Sequence, residues 1–341
     1  MKVHQALDAA RDWVSSAGDD LSGFGGAYVA GSAADLKPNA ELPPSSDVDV
    51  FVVVDEKPAM KLGKIHHRGA LLEIVYVDPV HSAEQLLGDE TAGPFAHAHI
   101  LADPTGRLAT IQATVQAEYP RRCWVQKRCA AVSARIHARL DALDGSLPWH
   151  DQVTTWSFGA SLTTYVLLLA GLKPPTVRKR YLAARHLLAE YGRLDFYEEL
   201  LQTAGIAHMD AARVEHHLGS LTATFDAAKT RSKTPYRFAS DISDRCRPIA
   251  IDGSRALIEE GFPREALFYM IATYSRCRHI FHTDAPDLLT AHDPVYNEML
   301  ADLGIASHAD LQQGCERVRA FMPQVEKTAQ AIIEANPDIS D

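Results

Sequence analysis

Asp47-Val-Asp-Val-Phe-Val-Val-Val54 is the stretch whose reading decides the fold. Apart from its two aspartates it consists of valine and phenylalanine, which suit a pleated, half-buried surface, so it predicts a β-strand. Side chains alternate across a strand, and Asp47 and Asp49 therefore share one face. Carboxylates that close repel one another unless a cation lies between them. A hard divalent ion such as Mg²⁺ takes carboxylate oxygens and keeps positions free for substrate phosphates. Downstream, Leu71-Leu-Glu-Ile-Val-Tyr-Val77 predicts a second strand, ended by Asp78-Pro79. Its Glu73 interrupts an apolar run and is the candidate third carboxylate, whereas Asp78 sits at a strand-ending Asp-Pro and reads as a turn residue. Upstream, Ala27-Tyr-Val-Ala30 predicts a short strand running into Gly31-Ser32. That turn offers backbone N–H groups and a hydroxyl to a phosphate.

Outward from this core the periodicity changes. Val3, Ala6, Leu7, Ala10 and Val14 recur at three- and four-residue steps, predicting an amphipathic opening helix. Residues 35–46, rich in Pro, Asn and Ser, predict a loop. From about residue 81 to the end the pattern is helical. The expected fold class is α+β: a small mixed β-sheet domain over residues 1–120, followed by an all-helical domain over residues 121–341. The chain has 341 residues and a net charge of −10, which argues against broad nucleic-acid or anionic-membrane binding. The charge is unevenly shared. Residues 1–120 hold 8 Lys/Arg against 17 Asp/Glu, a net of −9, and the remainder hold 26 against 27.

The order Gly31-Ser32, Asp47-Val48-Asp49, Glu73 resembles the signature of the nucleotidyltransferase superfamily that includes DNA polymerase beta. The stretch from Gly31 to Val50 is similar in motif to the bacterial aminoglycoside nucleotidyltransferases. The resemblance covers about residues 25–80, and Ile100-Leu-Ala-Asp-Pro-Thr-Gly106 looks like a segment that follows this core. It implies that Asp47, Asp49 and Glu73 hold Mg²⁺ and carry the catalysis, and that Gly31 and Ser32 cradle the phosphates of a nucleoside triphosphate, ATP by default. It further implies that a nucleoside monophosphate passes to a hydroxyl of a small-molecule acceptor. Glu73 would bind a second ion or take the proton of that hydroxyl. Ser32 and Asp47 are 15 positions apart, a longer interval than the antibiotic-modifying members lead one to expect, and this leaves the acceptor's identity open. A protein or RNA acceptor, or a non-catalytic nucleotide-binding module on the same fold, are the alternatives.

Of the basic segments, residues 121–141 and 173–193, Lys127 and Arg128 are the candidates to reach the triphosphate. His97-x-His99 and the His279/His282 pair have metal-ligand spacings but no cysteine or carboxylate partners at defined positions, and they read as structural. His66-His67 and His216-His217 read as exposed polar pairs, and Trp149 and Trp156 as core residues of the helical half. Five cysteines without CxxC spacing suggest reduced thiols. The longest apolar run, Tyr165–Leu172, falls short of the ~20 residues that span a bilayer. The expected location is cytoplasmic.

Overall fold

In the computed structural model, which describes residues 1–18 and 21–341, the chain divides into two compact units. The first comprises Met1–Trp124, Pro235–Ile249 and Ser340–Asp341. The division is thus not a single cut: a segment from deep in the helical half returns to the sheet unit.

The first unit contains α1 (Val3–Ala17), β1 (Phe24–Ala30), α2 (Ser32–Asp35), β2 (Val48–Val54), β3 (Gly63–His67), β4 (Ala70–Val77), α3 (Ala83–Leu87), α4 (Ala92–Ala96), β5 (His99–Ala102) and α5 (Arg107–Glu118). The strands form one mixed sheet in the order β3-β4-β2-β1-β5. β2 runs parallel to β4 and antiparallel to β1, and β3 and β4 are an antiparallel hairpin. Arg68 and Gly69, at φ 46° and 82°, turn that hairpin between the paired residues His67 and Ala70. Two successive positive φ values match the right-handed twist of the strands they join. Arg68 tolerates the strained position because Asp12 of α1 accepts from its guanidinium at 2.7 Å and from His67 at 2.7 Å.

Strand alternation places the core. Val48, Val50, Val52 and Val54 of β2, with Leu72 and Ile74 of β4, bury one sheet face against Val3, Ala6, Ala10 and Val14 of α1. The residues between them, Asp49, Phe51 and Glu73, face the other way, where Phe51 stacks on Tyr28 at 5.1 Å and Phe95 of α4 meets Tyr28 edge-on at 5.0 Å. The stretch after residue 81 is not purely helical. β5 pairs along the outer edge of β1, and its four residues, His99 exposed and the other three half-buried, are too few to show a period.

The second unit is helical: α6 (Arg122–Asp141, all but its first turn), α7 (Trp149–Ser161), α8 (Thr163–Ala170), α9 (Arg180–Glu190), α10 (Leu194–Thr203), α11 (Ala211–Ala228), α12 (Gly253–Glu259), α13 (Pro263–Asp284), α14 (Leu289–Asp302) and α15 (His308–Ala335). Among the described residues, Trp149–Ala170 is the one helical run long and apolar enough to cross a bilayer, and 83% of that window is buried inside the protein. Trp156 is buried in this run, and Trp149 donates its indole N–H to Asn297 at 3.1 Å. Arg180 is also buried here. Its guanidinium lies 4.0 Å from the Phe268 ring centroid and donates to Ser161, Tyr165 and the Val177 carbonyl. His217 departs from the exposed-pair expectation: it is fully buried and bonded to Asp302 at 2.7 Å.

Candidate active site

The register of the sheet assembles the acidic cluster. Asp49 pairs with Glu73 across the parallel β2–β4 ladder, and Glu73 pairs with Lys64 across the β3–β4 hairpin. Directly opposed residues point to the same face, so Lys64, Glu73 and Asp49 form one row across three strands. Asp47 lies two positions before Asp49, just ahead of β2, and falls on the same side. Carboxylate oxygens of Asp47, Asp49 and Glu73 all lie within 4.8 Å of one another.

Gly31 comes from the next strand. Ala30 pairs with Asp49 across β1–β2, and Gly31 follows with φ 77° and ψ −163° as the residue ahead of α2. A Cβ built on Gly31 would stand 2.6 Å from an Asp49 carboxylate oxygen. Glycine is therefore required here twice, once by the backbone angle and once by the closeness of the carboxylate. Ser32 is exposed at the first position of α2. The turn and the acidic row are thus immediate neighbours.

The electrostatics separate the three acids. Burial, and then the neighbouring charges of Asp47 and Glu73, push the Asp49 carboxyl up to about 8. Asp47 is also raised, chiefly by burial, although Lys64 opposes the shift. Burial acts on Glu73 in the same direction, but the ammonium groups of Lys64 and Lys61 outweigh it and hold its carboxyl down at about 2. Both lysines form ion pairs with Glu73. Lys64, only 8% exposed, also reaches Asp47 at 3.1 Å and Asp241 at 3.5 Å.

Asp241 arrives on the returning segment, where Ala239–Asp241 forms a 3₁₀ turn. Gly63, at φ 70°, lets that turn approach β3, since a Cβ there would stand 2.3 Å from the Ser240 hydroxyl. Arg245 of the same segment donates to the Lys64 carbonyl at 3.2 Å. Lys61, Lys64 and Asp241 were not among the residues the sequence singled out. Lys64 lies in Gly-Lys-Ile-His-His, a five-residue edge strand with little alternation, and Asp241 has no local motif.

A hard divalent cation fits the three-carboxylate donor set. Asp49, whose carboxyl is raised by burial and by the charges of Asp47 and Glu73, would lose its proton to solvent on holding such an ion. Lys127 and Arg128 belong to α6 in the second unit, where Lys127 is exposed and Arg128 is fully buried. The chain matches no protein-family model and no curated protein.

Proposed function

We propose that the protein is a Mg²⁺-dependent nucleotidyltransferase of the DNA polymerase beta-like fold, passing a nucleoside monophosphate from an NTP, ATP by default, to a hydroxyl of a small-molecule acceptor. The observation that carries this reading is the convergence of Asp47, Asp49 and Glu73 on one sheet face beside the Gly31-Ser32 turn. Asp47, Asp49 and Glu73 would hold the cation, which supplies charge neutralisation to the phosphates and aligns the displacement. The exposed Ser32 hydroxyl and the N–H groups of the turn would hold phosphate oxygens. Glu73, held at about 2 by its lysines, is a poor proton acceptor and serves as a ligand. Lys64 would turn its ammonium from Asp47 and Glu73 toward phosphate as the cation enters. Five free cysteines suit a reducing cytoplasm.

The test is release of pyrophosphate from ATP across a panel of hydroxylated acceptors. Turnover in the wild type that requires Mg²⁺ and falls at least 100-fold in Asp49→Asn supports the assignment, whereas equal release by both proteins refutes it. A second reading is favoured by the ammonium groups of Lys61 and Lys64 on Glu73, which themselves supply positive charge to the cluster. It is a module that holds nucleotide without turning it over, selected by Mg²⁺-independent ATP binding with no product.

A further inference from the structure

We propose that the helical unit carries a separate binding site for a borderline divalent metal such as Zn²⁺, built from His150, Asp151 and His279. His150 and Asp151 lie in the first turn of α7, and His279 lies near the end of α13. His150 Nε2 stands 3.3 Å from His279 Nδ1 and 3.7 Å from an Asp151 carboxylate oxygen. Ligand atoms of all three residues lie within 4.8 Å of one another.

The separation of the two imidazole nitrogens is that of neighbouring ligands in a coordination shell. Two ligands at the usual Zn–N distance of about 2.0–2.1 Å in a tetrahedral site stand about 3.3–3.4 Å apart. Imidazole nitrogens with one carboxylate are a donor set that Zn²⁺, Co²⁺ and Ni²⁺ prefer and Mg²⁺ does not. This sets the site apart from the all-carboxylate cluster of the sheet unit.

The surroundings fix the ligands. His150 is 1% exposed, so its ring is held by packing. Arg278 adjoins it, 3.4 Å from His150 Nδ1, but Asp293 takes that guanidinium in a two-toothed pair at 2.6 and 2.7 Å. The arginine's charge is thereby balanced on the far side of the ring. His282, exposed and three positions beyond His279, has its ring centroid 5.6 Å from that of His150. It places the cluster beside solvent, within reach of an incoming ion. At 3.3 Å one of the two facing nitrogens gives a proton to the other. A metal ion between them takes both lone pairs, and that proton moves to the other nitrogen of its own ring.

The experiment uses the full chain, free of any histidine tag, with Co²⁺ as the probe. The wild type is expected to bind one Co²⁺ with the strong visible absorption of a four-coordinate ion, distinct from the weak absorption of any six-coordinate Co²⁺ held by the acidic cluster. Zn²⁺ should displace the Co²⁺ and raise the melting temperature. His279→Gln and Asp151→Asn, both at partly exposed positions, should weaken binding at least 10-fold while keeping the far-ultraviolet dichroism of the wild type. They carry the test even if His150→Gln fails to fold. Asp49→Asn should bind Co²⁺ at this site unchanged, so loss of nucleotidyl transfer and loss of this site are read separately. A wild type that shows only the spectrum of aqueous Co²⁺ overturns the proposal, as do His279→Gln and Asp151→Asn variants that keep the absorption.

Discussion

Gly31→Ala tests the junction between the turn and the acidic row. The backbone at φ 77°, ψ −163° lies in a region open almost only to glycine, at a cost on the order of 1–3 kcal/mol for another residue. The added methyl would also stand 2.6 Å from the Asp49 carboxylate, against about 3.5 Å for an ordinary contact. Turn or carboxylate must therefore retreat by most of an ångström, and a displacement of about 1 Å in a reacting constellation costs about 100-fold in rate. The expected result is about 100-fold slower pyrophosphate release, weaker Mg²⁺ binding by calorimetry and a melting temperature lower by about 2–10 °C. Gly106→Ala is the control. Its φ is 71° but nothing lies within 4 Å of the added methyl, so it should lose about 1–2 kcal/mol of stability and no activity. A Gly31→Ala enzyme with wild-type turnover and Mg²⁺ affinity, or a Gly106→Ala enzyme impaired to the same degree, would refute the reasoning.

Asp49→Asn should change how the chelated protein responds to pH. Because the folded-state carboxyl is raised to about 8, the native state binds more protons than the unfolded chain above about pH 4, and stability falls as pH rises toward 8. Urea titrations across that window should show a shallower fall in the variant, and an unchanged slope would exclude the charge crowding described. Asp302→Ala removes the partner of buried His217 and of Arg213 and should cost about 1–3 kcal/mol at neutral pH. The paired carboxyl of Asp302 is lowered, first by Arg213. Its contribution is therefore present above about pH 4 and is lost as pH falls through its folded value, so the variant should lose less stability on acidification than the wild type. Arg180→Lys cannot reproduce three donors in a fixed fork or lie flat against Phe268. It should destabilise the helical unit by about 1–3 kcal/mol, and an unchanged denaturation midpoint would show those contacts to be idle.

Strand alternation made Asp47 and Asp49 legible, because a two-residue period assigns faces without knowledge of the partner strand, and Glu73 stood out because it interrupts an apolar run. The parallel pairing that sets Asp49 opposite Glu73 was not legible, since register depends on the β3–β4 hairpin and its Arg68-Gly69 turn. Lys64 went unnoticed because nothing in its own strand announces a role, and its significance comes from facing Glu73. β5 escaped because four edge residues, none of them buried, carry too little pattern. His279 and His282 were visible as a pair three apart on a helix, but their partner His150 is 129 positions away, a separation that no local spacing rule reaches. The same holds for His217, whose burial follows from Asp302 on another helix.

The return of Pro235–Ile249 to the sheet unit has a consequence for how the chain matures. As the polypeptide emerges from the ribosome, β1 to β5 are complete by Ala102 and can pair, because their contacts are local in sequence. The turn that brings Ser240 against Gly63 and Asp241 toward Lys64 is made only after the chain has passed through α6 to α11. For that interval the newborn sheet holds its acidic row without the strap, and Lys64 lacks the Asp241 carboxylate. Synthesis arrested before residue 235 would therefore leave a paired sheet with an unfinished site, sensitive to a protease at β3 and protected once the strap arrives.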